Sequence, residues 1–388
     1  MDTVNHHDGA TVLLIYNNVR VKRIRTHIGW LWCSVLLMLL TGCSSSDDTG
    51  EQQPATLTVY VYSPERPMLI RSDVGHVNTI ANEGKITKLQ IWIFNHATGT
   101  LVGYLAPTDF TQLTMSEGAA YQVQVDDDFV SSKPAVDVYV LANVTSDNSG
   151  CAFDGSTTRT QLDEAQLTSG YFGLESLTKD VPDDGLPMAG VLSDQPVVGD
   201  APVLRVGTLS NIATVSLRRV VSKLRFVFAN KEGAEDLYIS NIQLDASMIP
   251  TTEKLFAPSY PAAAYHPSAT DLWSSAEKVA TVPDPTEYIY SDQEAQVYEN
   301  LIDQSALTMT DPFYLRESDK RLSGRITYRV GTNPVQYSRF EMDVAGDFLR
   351  NHTWIIYVYY TGGGYLLMST LYVKNWTNKD EEHAVYNW

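Results

Sequence analysis

The chain has 388 residues, of which 44% are hydrophobic and 19% charged, and its formal net charge is −18. A chain this acidic repels nucleic-acid backbones and anionic bilayers, so electrostatic binding to either is excluded. The length predicts two domains, each large enough to bury a hydrophobic core.

An apolar run from Ile28 to Leu40 ends in Thr41-Gly42-Cys43 and follows four basic residues, Arg20, Lys22, Arg23 and Arg25. This pattern is typical of a bacterial lipoprotein signal peptide over residues 1–43, cut before Cys43, which is then lipidated. A transmembrane anchor and an ordinary signal peptide are the alternatives, but a spanning helix needs roughly 20 apolar residues. Without the leader the chain keeps 24 basic and 44 acidic residues, a net charge of −20. Lipid rather than charge would therefore hold it at a membrane.

Residues 44–56 form a predicted flexible linker, because Ser44–Pro54 is polar throughout. Of the three cysteines, only Cys151 lies beyond the leader and the lipid site. No intramolecular disulfide can then form, and the fold must be held by core packing.

Alternation of apolar and polar residues predicts a series of strands. The first covers Thr56–Tyr62 and places Leu57, Val59 and Val61 on one buried face. Further strands are predicted over residues 87–94, 100–105, 121–125, 136–144, 213–228, 237–244, 322–330, 335–344, 354–360 and 365–376.

The connecting segments are predicted to contain little helix. Thr160–Phe172 has a short amphipathic pattern, Leu186–Gly190 predicts a turn, and Gly362–Gly364 predicts a hairpin connection. Met248–Asp311 predicts long surface loops, because it has few strand-like runs. The whole pattern predicts an all-β fold of two β-sandwiches, residues 57–210 and 211–388.

The motifs of common enzymes are absent from the sequence: it has no nucleophile elbow, phosphate-binding loop, zinc-ligand pair or calcium loop. Asp126–Asp128 lacks the glycine and glutamate of a calcium loop, so we predict a solvated turn there. His352 has no serine or aspartate constellation beside it and is expected to pack or hydrogen-bond at a strand entrance. We therefore predict no enzyme activity, no cofactor and no metal site.

Five segments carry a further signal: Lys85–Asn95, Leu186–Gly190, Leu217–Leu224, Leu349–Trp354 and Val373–Trp388. In this order they resemble motifs of the fimbrillin-type pilins of Bacteroidia, also called type V pilins. The resemblance covers nearly all of the chain after Cys43. It implies two transthyretin-like Greek-key β-sandwiches with long loops and at most short helices.

The resemblance also implies a sequence of export, proteolytic cleavage and assembly. Such a protein is exported as an outer-membrane lipoprotein and cut after an arginine by a trypsin-like surface protease. The cut removes the lipid and the first strand, and a C-terminal strand of a neighbouring subunit fills the groove. The implied partners are other pilin subunits, the protease, the outer membrane through the precursor's lipid, and a receptor on a host or bacterial surface. The implied locations are the outer membrane and the extracellular fimbrium.

The residues suit this scheme. We expect the cut after Arg71, with Arg66 as the alternative, because Pro67 follows Arg66 and hinders trypsin-like proteases. Loss of the first strand exposes an apolar groove and a free strand edge.

The predicted donor strand lies in Leu366–Trp376, which is apolar on both faces, unlike a half-exposed strand. The donor residues are Leu367, Leu371, Val373 and Trp376. The alternative is that this segment is a central strand of its own sandwich.

The predicted function is a structural subunit of an adhesive surface fimbria. Alternatives are a fimbrial tip subunit with an adhesive surface in Met248–Asp311, or an anchor subunit that keeps its lipid. A different class of function is a non-polymerising surface lipoprotein that binds glycans through exposed tryptophan and tyrosine side chains.

Overall fold

The computed structural model describes residues 55–62, 83–111, 113, 118–125, 129, 134–168, 171–174, 177–196, 213–256, 264–288, 308–341, 348–373 and 383–387. Over these residues nearly all of the regular secondary structure is β-strand, so the predicted all-β class is confirmed.

In the part of the chain that the structure describes, nine strands precede residue 220. They are β1 (Ala55–Tyr62), β2 (Leu89–Asn95), β3 (Leu101–Leu105), β4 (Gly118–Val125), β5 (Ala135–Ala142), β6 (Gln166–Leu167), β7 (Met188–Pro196), β8 (Ala213–Ser216) and β9 (Arg218–Arg219). The described helices in this half are α1 (Ser146–Ser149) and α2 (Arg159–Glu164). Helix α2 begins with a capping box, in which Thr158 accepts from the Gln161 amide and Gln161 Oε1 accepts from the Thr158 amide.

Twelve strands follow in the described residues. They are β10 (Val221–Lys231), β11 (Leu237–Leu244), β12 (Glu253–Lys254), β13 (Thr270–Lys278), β14 (Thr281–Val282), β15 (Thr308–Met309), β16 (Phe313–Arg316), β17 (Ser323–Val330), β18 (Gln336–Glu341), β19 (Thr353–Tyr360), β20 (Leu367–Val373) and β21 (His383–Asn387). A 3₁₀ helix spans Pro285–Tyr288.

Two sheets enclose the first core. Within the described residues, a three-stranded sheet has the order β4-β1-β8 and a five-stranded sheet has the order β3-β2-β5-β7-β9. Apolar side chains of both sheets meet between them, among them Val59 and Val123 from the first and Ile91 and Val138 from the second. The alternating burial of β4 follows from this arrangement, because one face lies on the core and the other does not.

Two further sheets enclose the second core. The described residues form a seven-stranded sheet, which contains the path β14-β10-β19-β20-β21 with β15 and β16 beside β10, and a four-stranded sheet, β13-β11-β17-β18. Strands β10 and β19 pair in parallel from Lys223↔Thr353 to Asn230↔Tyr360. Their apolar residues, such as Phe226 and Ile356, pack against residues of the four-stranded sheet.

A third core joins the two halves of the chain. It contains residues from the outer face of the five-stranded sheet, such as Trp92 and Tyr139, together with Leu162 of α2. Val221 and Tyr314 reach the same core from the seven-stranded sheet. Every strand described belongs to one unit, Pro54–Trp388.

Two sequence predictions about connections were wrong. Leu186–Gly190 was predicted to be a turn, but Met188 begins β7, which pairs with β5. The predicted loop Met248–Asp311 contains β13, which pairs with β11 through two register shifts. Strand β13 is an outer strand with mostly exposed side chains, so it has no apolar alternation to detect. The hairpin connection at Gly362–Gly364 is confirmed, because β19 and β20 pair antiparallel across it.

Candidate functional site

Strand β1 fills a slot between two strands that are distant from it in sequence. It pairs antiparallel with β4 from Ala55↔Val125 to Tyr62↔Gly118. On its other side it pairs parallel with β8 from Val59↔Ala213 to Tyr62↔Ser216. If β1 left, β4 and β8 would each expose an edge of unpaired backbone groups.

The buried face of β1 is wholly apolar. The side chains of Leu57, Val59 and Val61 have no exposed surface, which confirms the sequence prediction that these three residues share a buried face. They pack in the first core among side chains of both sheets. Burial of each contributes about 1.5–3 kcal/mol to the stability of the intact chain. We call the space that this strand occupies between β4 and β8 the β1 groove.

The predicted donor segment lies in the second half. Strand β20 is between β19 and β21, and its register with β19 runs from Val373↔Thr353 to Leu367↔Tyr359. Leu366 and Met368 are buried in the second core, whereas the side chain of Leu367 is 41% exposed on the other face. Leu371 and Val373 lie farther along the same strand, and Trp376 is outside the described residues.

The residues predicted for lipidation and proteolytic processing also fall outside the described residues. These are Cys43, Arg66 and Arg71. Both arginines belong to residues 63–82, which connect β1 to Glu83.

Glu83, the first residue described after that connection, is held by a buried cluster. Its carboxylate accepts two hydrogen bonds from Lys223 Nζ, at 2.9 and 3.0 Å, and one from the Tyr314 hydroxyl at 2.7 Å. Its backbone carbonyl accepts from Arg219 Nε at 3.2 Å. Lys223 and Tyr314 are fully buried and Glu83 is 2% exposed, so the cluster is shielded from water.

The pKa values of this cluster reflect its burial. Burial lowers the pKa of Lys223 to about 8, although the adjacent Glu83 carboxylate acts in the opposite direction. Burial and the same carboxylate raise the pKa of the Tyr314 hydroxyl. Tyr314 therefore stays protonated at neutral pH and donates its hydrogen bond to Glu83.

A second buried ionic cluster lies around Arg350. Its guanidinium donates to Glu253 and Glu317, with a distance of 2.5 Å from Nη2 to Glu317 Oε1. It also donates to the carbonyls of Leu255 and Lys254, both at 2.8 Å. Arg350 thus ties the start of β19 to the segment that contains β12.

The two carboxyls of this cluster have opposite pKa shifts. Burial raises the pKa of Glu253 well above its ordinary value, and the neighbouring charge of Glu317 adds to this effect. Burial would also raise the pKa of Glu317, but Arg350 outweighs it and the net pKa is lowered. Burial therefore favours Glu253 as the carboxyl that takes up a proton, and Arg350 favours the ionised form of Glu317.

Asn351, the residue after Arg350, links the start of β19 to the backbone of Arg219 and Val221. Its backbone has a φ of 59°, in the left-handed region that asparagine tolerates better than most residues. Its side-chain oxygen accepts from the Arg219 amide at 3.2 Å, and its own amide donates to the Val221 carbonyl at 2.8 Å. The His352 ring lies 2.7 Å from the Arg350 carbonyl at the entrance of β19, as the sequence predicted.

Comparison with known proteins gives these features a context. A family model described as "Major fimbrial subunit protein (FimA)" matches residues 55–204. Over these residues the chain is similar to FimA-type fimbrial subunits. The match includes β1 and its antiparallel partner β4, and it ends before β8.

Solved structures of similar fold extend over both halves of this chain. A putative cell adhesion protein from Parabacteroides distasonis has 14% identity and a TM-score of 0.52, and the alignment covers 86% of this chain and 96% of that one. The tip fimbrial protein Mfa3 from Porphyromonas gingivalis, with a C-terminal truncation, has 13% identity and a TM-score of 0.45, with 86% and 99% covered. Among curated proteins, none matches the chain.

Three of the fimbrillin-like sequence motifs contribute residues to the buried Glu83 and Arg350 clusters or to the contacts beside them. Lys223 comes from the basic motif Leu217–Leu224, and Arg350 and Asn351 come from Leu349–Trp354. Val220 of the basic motif donates its amide to the Pro187 carbonyl of Leu186–Gly190 at 2.9 Å. The acidic partners Glu83, Glu253 and Glu317 were not predicted, because they lie in segments with no pattern of their own.

The described residues hold no group of three or more histidine, cysteine, aspartate or glutamate side chains placed to bind a metal ion. Among the described helices, none has the length and apolar character needed to cross a bilayer.

The two carboxyls of the Arg350 cluster should respond differently to substitution by glutamine. Glu253→Gln should change the free energy of unfolding at pH 7 by less than about 1 kcal/mol, because glutamine resembles the protonated carboxyl. Glu317→Gln should cost about 3 kcal/mol, because it removes the ionised partner of a buried guanidinium. Denaturant unfolding of both variants and the parent at pH 7 measures this. Equal losses would show that the proton is not held on Glu253.

Proposed function

We propose that the chain is a structural subunit of a surface fimbria and that it polymerises by strand exchange into the β1 groove. The precursor is exported as a lipoprotein through Cys43 to the outer membrane. A trypsin-like protease cuts after Arg71 and releases the lipid together with β1. A C-terminal strand of the next subunit then takes the place of β1.

The observation that carries this proposal is the bonding of β1. The strand has a fully buried apolar face. Its covalent connection to the rest of the described fold runs through residues 63–82, which include Arg71. A cut there leaves β1 attached by non-covalent contacts alone. The empty groove would present apolar walls and two strand edges, which favours refilling by another strand.

Glu83 supports this proposal because it follows the proposed cleavage site in the sequence and its side chain is held by buried hydrogen bonds. The contacts of Glu83 with Lys223, Tyr314 and Arg219 hold the new N-terminal region to the body of the subunit. Asn143 also holds this region, because its side-chain amide donates a hydrogen bond to the Lys85 carbonyl at 2.7 Å. The retained part therefore does not depend on β1 to keep its place.

Two C-terminal strands are candidates for the donor. The sequence favours β20, through Leu367, Leu371, Val373 and Trp376. In the described sheet β20 has neighbours on both sides, whereas β21 has only β20, so β21 would leave with fewer broken hydrogen bonds. Transfer of β20 and β21 together, as a two-stranded ribbon, would use the apolar residues of β20 and the outer position of β21.

The test is proteolysis of the full-length chain in detergent, followed by gel electrophoresis without boiling. Low-dose trypsin should yield a product that begins at Ser72, by mass spectrometry, and a ladder of stable oligomers. Arg71→Ala should block both, whereas the matched variant Arg66→Ala should behave like the parent. A product that begins at Ser72 but stays monomeric would refute polymerisation. Assembly of the Arg71→Ala variant would refute the proposed cut.

A second candidate is a glycan-binding surface lipoprotein. The side chains of Tyr337 and Tyr365 are 66% and 75% exposed, and aromatic rings of this kind can stack on sugars. A monomeric product that binds a glycan array, and that loses binding in Tyr337→Ala and Tyr365→Ala, would favour this function over the first.

A further inference from the structure

The rim of the β1 groove contains a space shaped for an aromatic ring. Gly118, the first residue of β4, is opposite Tyr62, and the Tyr60 ring lies directly over it. A side chain at position 118 would overlap the Tyr60 ring and come within 2.7 Å of the Val61 carbonyl oxygen. Tyr60 and Tyr62 pack on each other with their ring centroids 4.8 Å apart. The absence of a side chain at 118 therefore makes room for Tyr60.

The sequence around Tyr60 recurs near the C-terminus. Thr58-Val59-Tyr60-Val61 of β1 corresponds to Thr370-Leu371-Tyr372-Val373 of β20, and the sequence has the order threonine, apolar residue, tyrosine, valine at these two places only. An apolar residue followed by tyrosine and valine also occurs at 138–140 and 356–358. Those copies belong to β5 and β19, which lie inside their sheets and far from the end of the chain.

We propose that Thr370–Val373 of a second copy occupies the groove in the register of Thr58–Val61. This inference rests on the proposed function, and it adds the identity and register of the incoming strand. Leu371 and Val373 then take the buried sites of Val59 and Val61. Tyr372 takes the site of Tyr60 over Gly118, so Gly118 selects a strand with an aromatic residue at that outward position.

The same register accounts for the need to release β1. Ser369 comes to the site of Leu57, where a small polar side chain fills less of the apolar core than leucine does. The covalently attached β1 is thus the better occupant of the groove. The incoming strand can replace it only after β1 has been cut free.

A side-chain truncation tests the register. In the full-length chain, Tyr372→Ala removes the ring that the register places over Gly118 and leaves the precursor's own β1 unchanged. After trypsin, this variant should assemble about 10-fold less than the parent, because the space over Gly118 stays unfilled. The matched variant Tyr372→Phe keeps a ring of similar size and should assemble to within about 2-fold of the parent.

A cross-link supplies a measurement that does not depend on packing. Tyr60 is opposite Ala120, so the register places Tyr372 of one copy opposite Ala120 of the next. In a Cys151→Ser background, Ala120→Cys with Tyr372→Cys should give disulfide-linked oligomers after cleavage. Ala120→Cys with Thr370→Cys is the matched control, because Thr370 would be opposite Gln122 and too distant to bridge.

The outcomes separate the register from the proposed function. If the parent chain does not assemble after cleavage, the proposed function fails and the register fails with it. If the parent assembles but Tyr372→Ala assembles equally well, or the cross-link is absent, the register is wrong while strand exchange stands. A cross-link to the control position would equally refute the register.

Discussion

Replacement of Lys223 by methionine is expected to lower the free energy of unfolding by about 3–5 kcal/mol. The ammonium of Lys223 donates two hydrogen bonds to Glu83 in a site where neither side chain is more than 2% exposed. Methionine has a similar volume but no charge, so it would leave the Glu83 carboxylate without its closest cation. The midpoint of urea unfolding, compared with the parent, measures the loss.

Two controls define this prediction. Arg321→Met breaks a pair with Glu341 at 3.5 Å in which both side chains are more than half exposed, and it should cost less than about 1 kcal/mol. The double variant Glu83→Gln with Lys223→Met should lose less than the sum of its single changes, since it removes both charges together. A loss in Lys223→Met no larger than that in Arg321→Met would contradict the role of the Glu83 cluster.

The strands that were predicted correctly are those with one apolar face. Strand β11 covers Leu237–Leu244, as its sequence predicted, and β1 buries the three residues expected of it. Period-two alternation is a local property of the chain, so these strands can be found without knowledge of their partners. Strand β13 was missed because an outer strand needs little apolar surface.

Strand β7 was missed for a different reason. Pro187 and Gly190 predicted a turn, but Gly190 is in the middle of a ladder with β5. A side chain at 190 would come within 2.7 Å of the Ser216 carbonyl oxygen and of Val215 Cγ1. This glycine therefore allows close approach of β8 rather than a change of chain direction. A single sequence cannot distinguish these two uses of glycine.

The partners of the buried charges could not be predicted from local patterns. Lys223 and Glu83 are 140 residues apart in sequence, and Arg350 and Glu253 are 97 apart. The basic residues were noticed only because their motifs resemble those of a known family. In the fold, Lys223 joins the two halves through its ion pair with Glu83, and Arg350 ties the start of β19 to β12. The parallel pairing of β10 and β19 brings these two basic residues to the same end of the sheet. No repeat or alternation in the sequence specifies that pairing.

The proposed exchange would divide the chain into a part that the subunit keeps and a strand that it replaces. The Glu83 and Arg350 clusters involve residues after the proposed cut, and they join β9, β10, β12, β16 and the start of β19. The three inward residues of β1 pack only in apolar surroundings. An apolar contact can be replaced by any strand with similar side chains, whereas an ion pair needs its own partner. The contact that the proposed cut would remove is therefore one that another strand can replace.

Replacement of Leu57 by alanine should accordingly destabilise the intact chain and leave the cleaved, assembled form unchanged. In the intact chain the loss should be about 2–5 kcal/mol, because Leu57 is fully buried in the first core. After trypsin and assembly, the variant residue has been discarded with β1 and another strand occupies the groove. Thermal dissociation of the oligomer ladder on unboiled gels measures the second state, and denaturant unfolding measures the first.

Ile91→Ala is the matched control for Leu57→Ala. Ile91 is fully buried in the same core, but it belongs to β2, which remains in the subunit after the cut. It should destabilise the intact chain and the assembled form alike, by about 2–5 kcal/mol. If Leu57→Ala weakened the assembled form as much as Ile91→Ala does, β1 would still be present in the polymer, and exchange of that strand would be refuted.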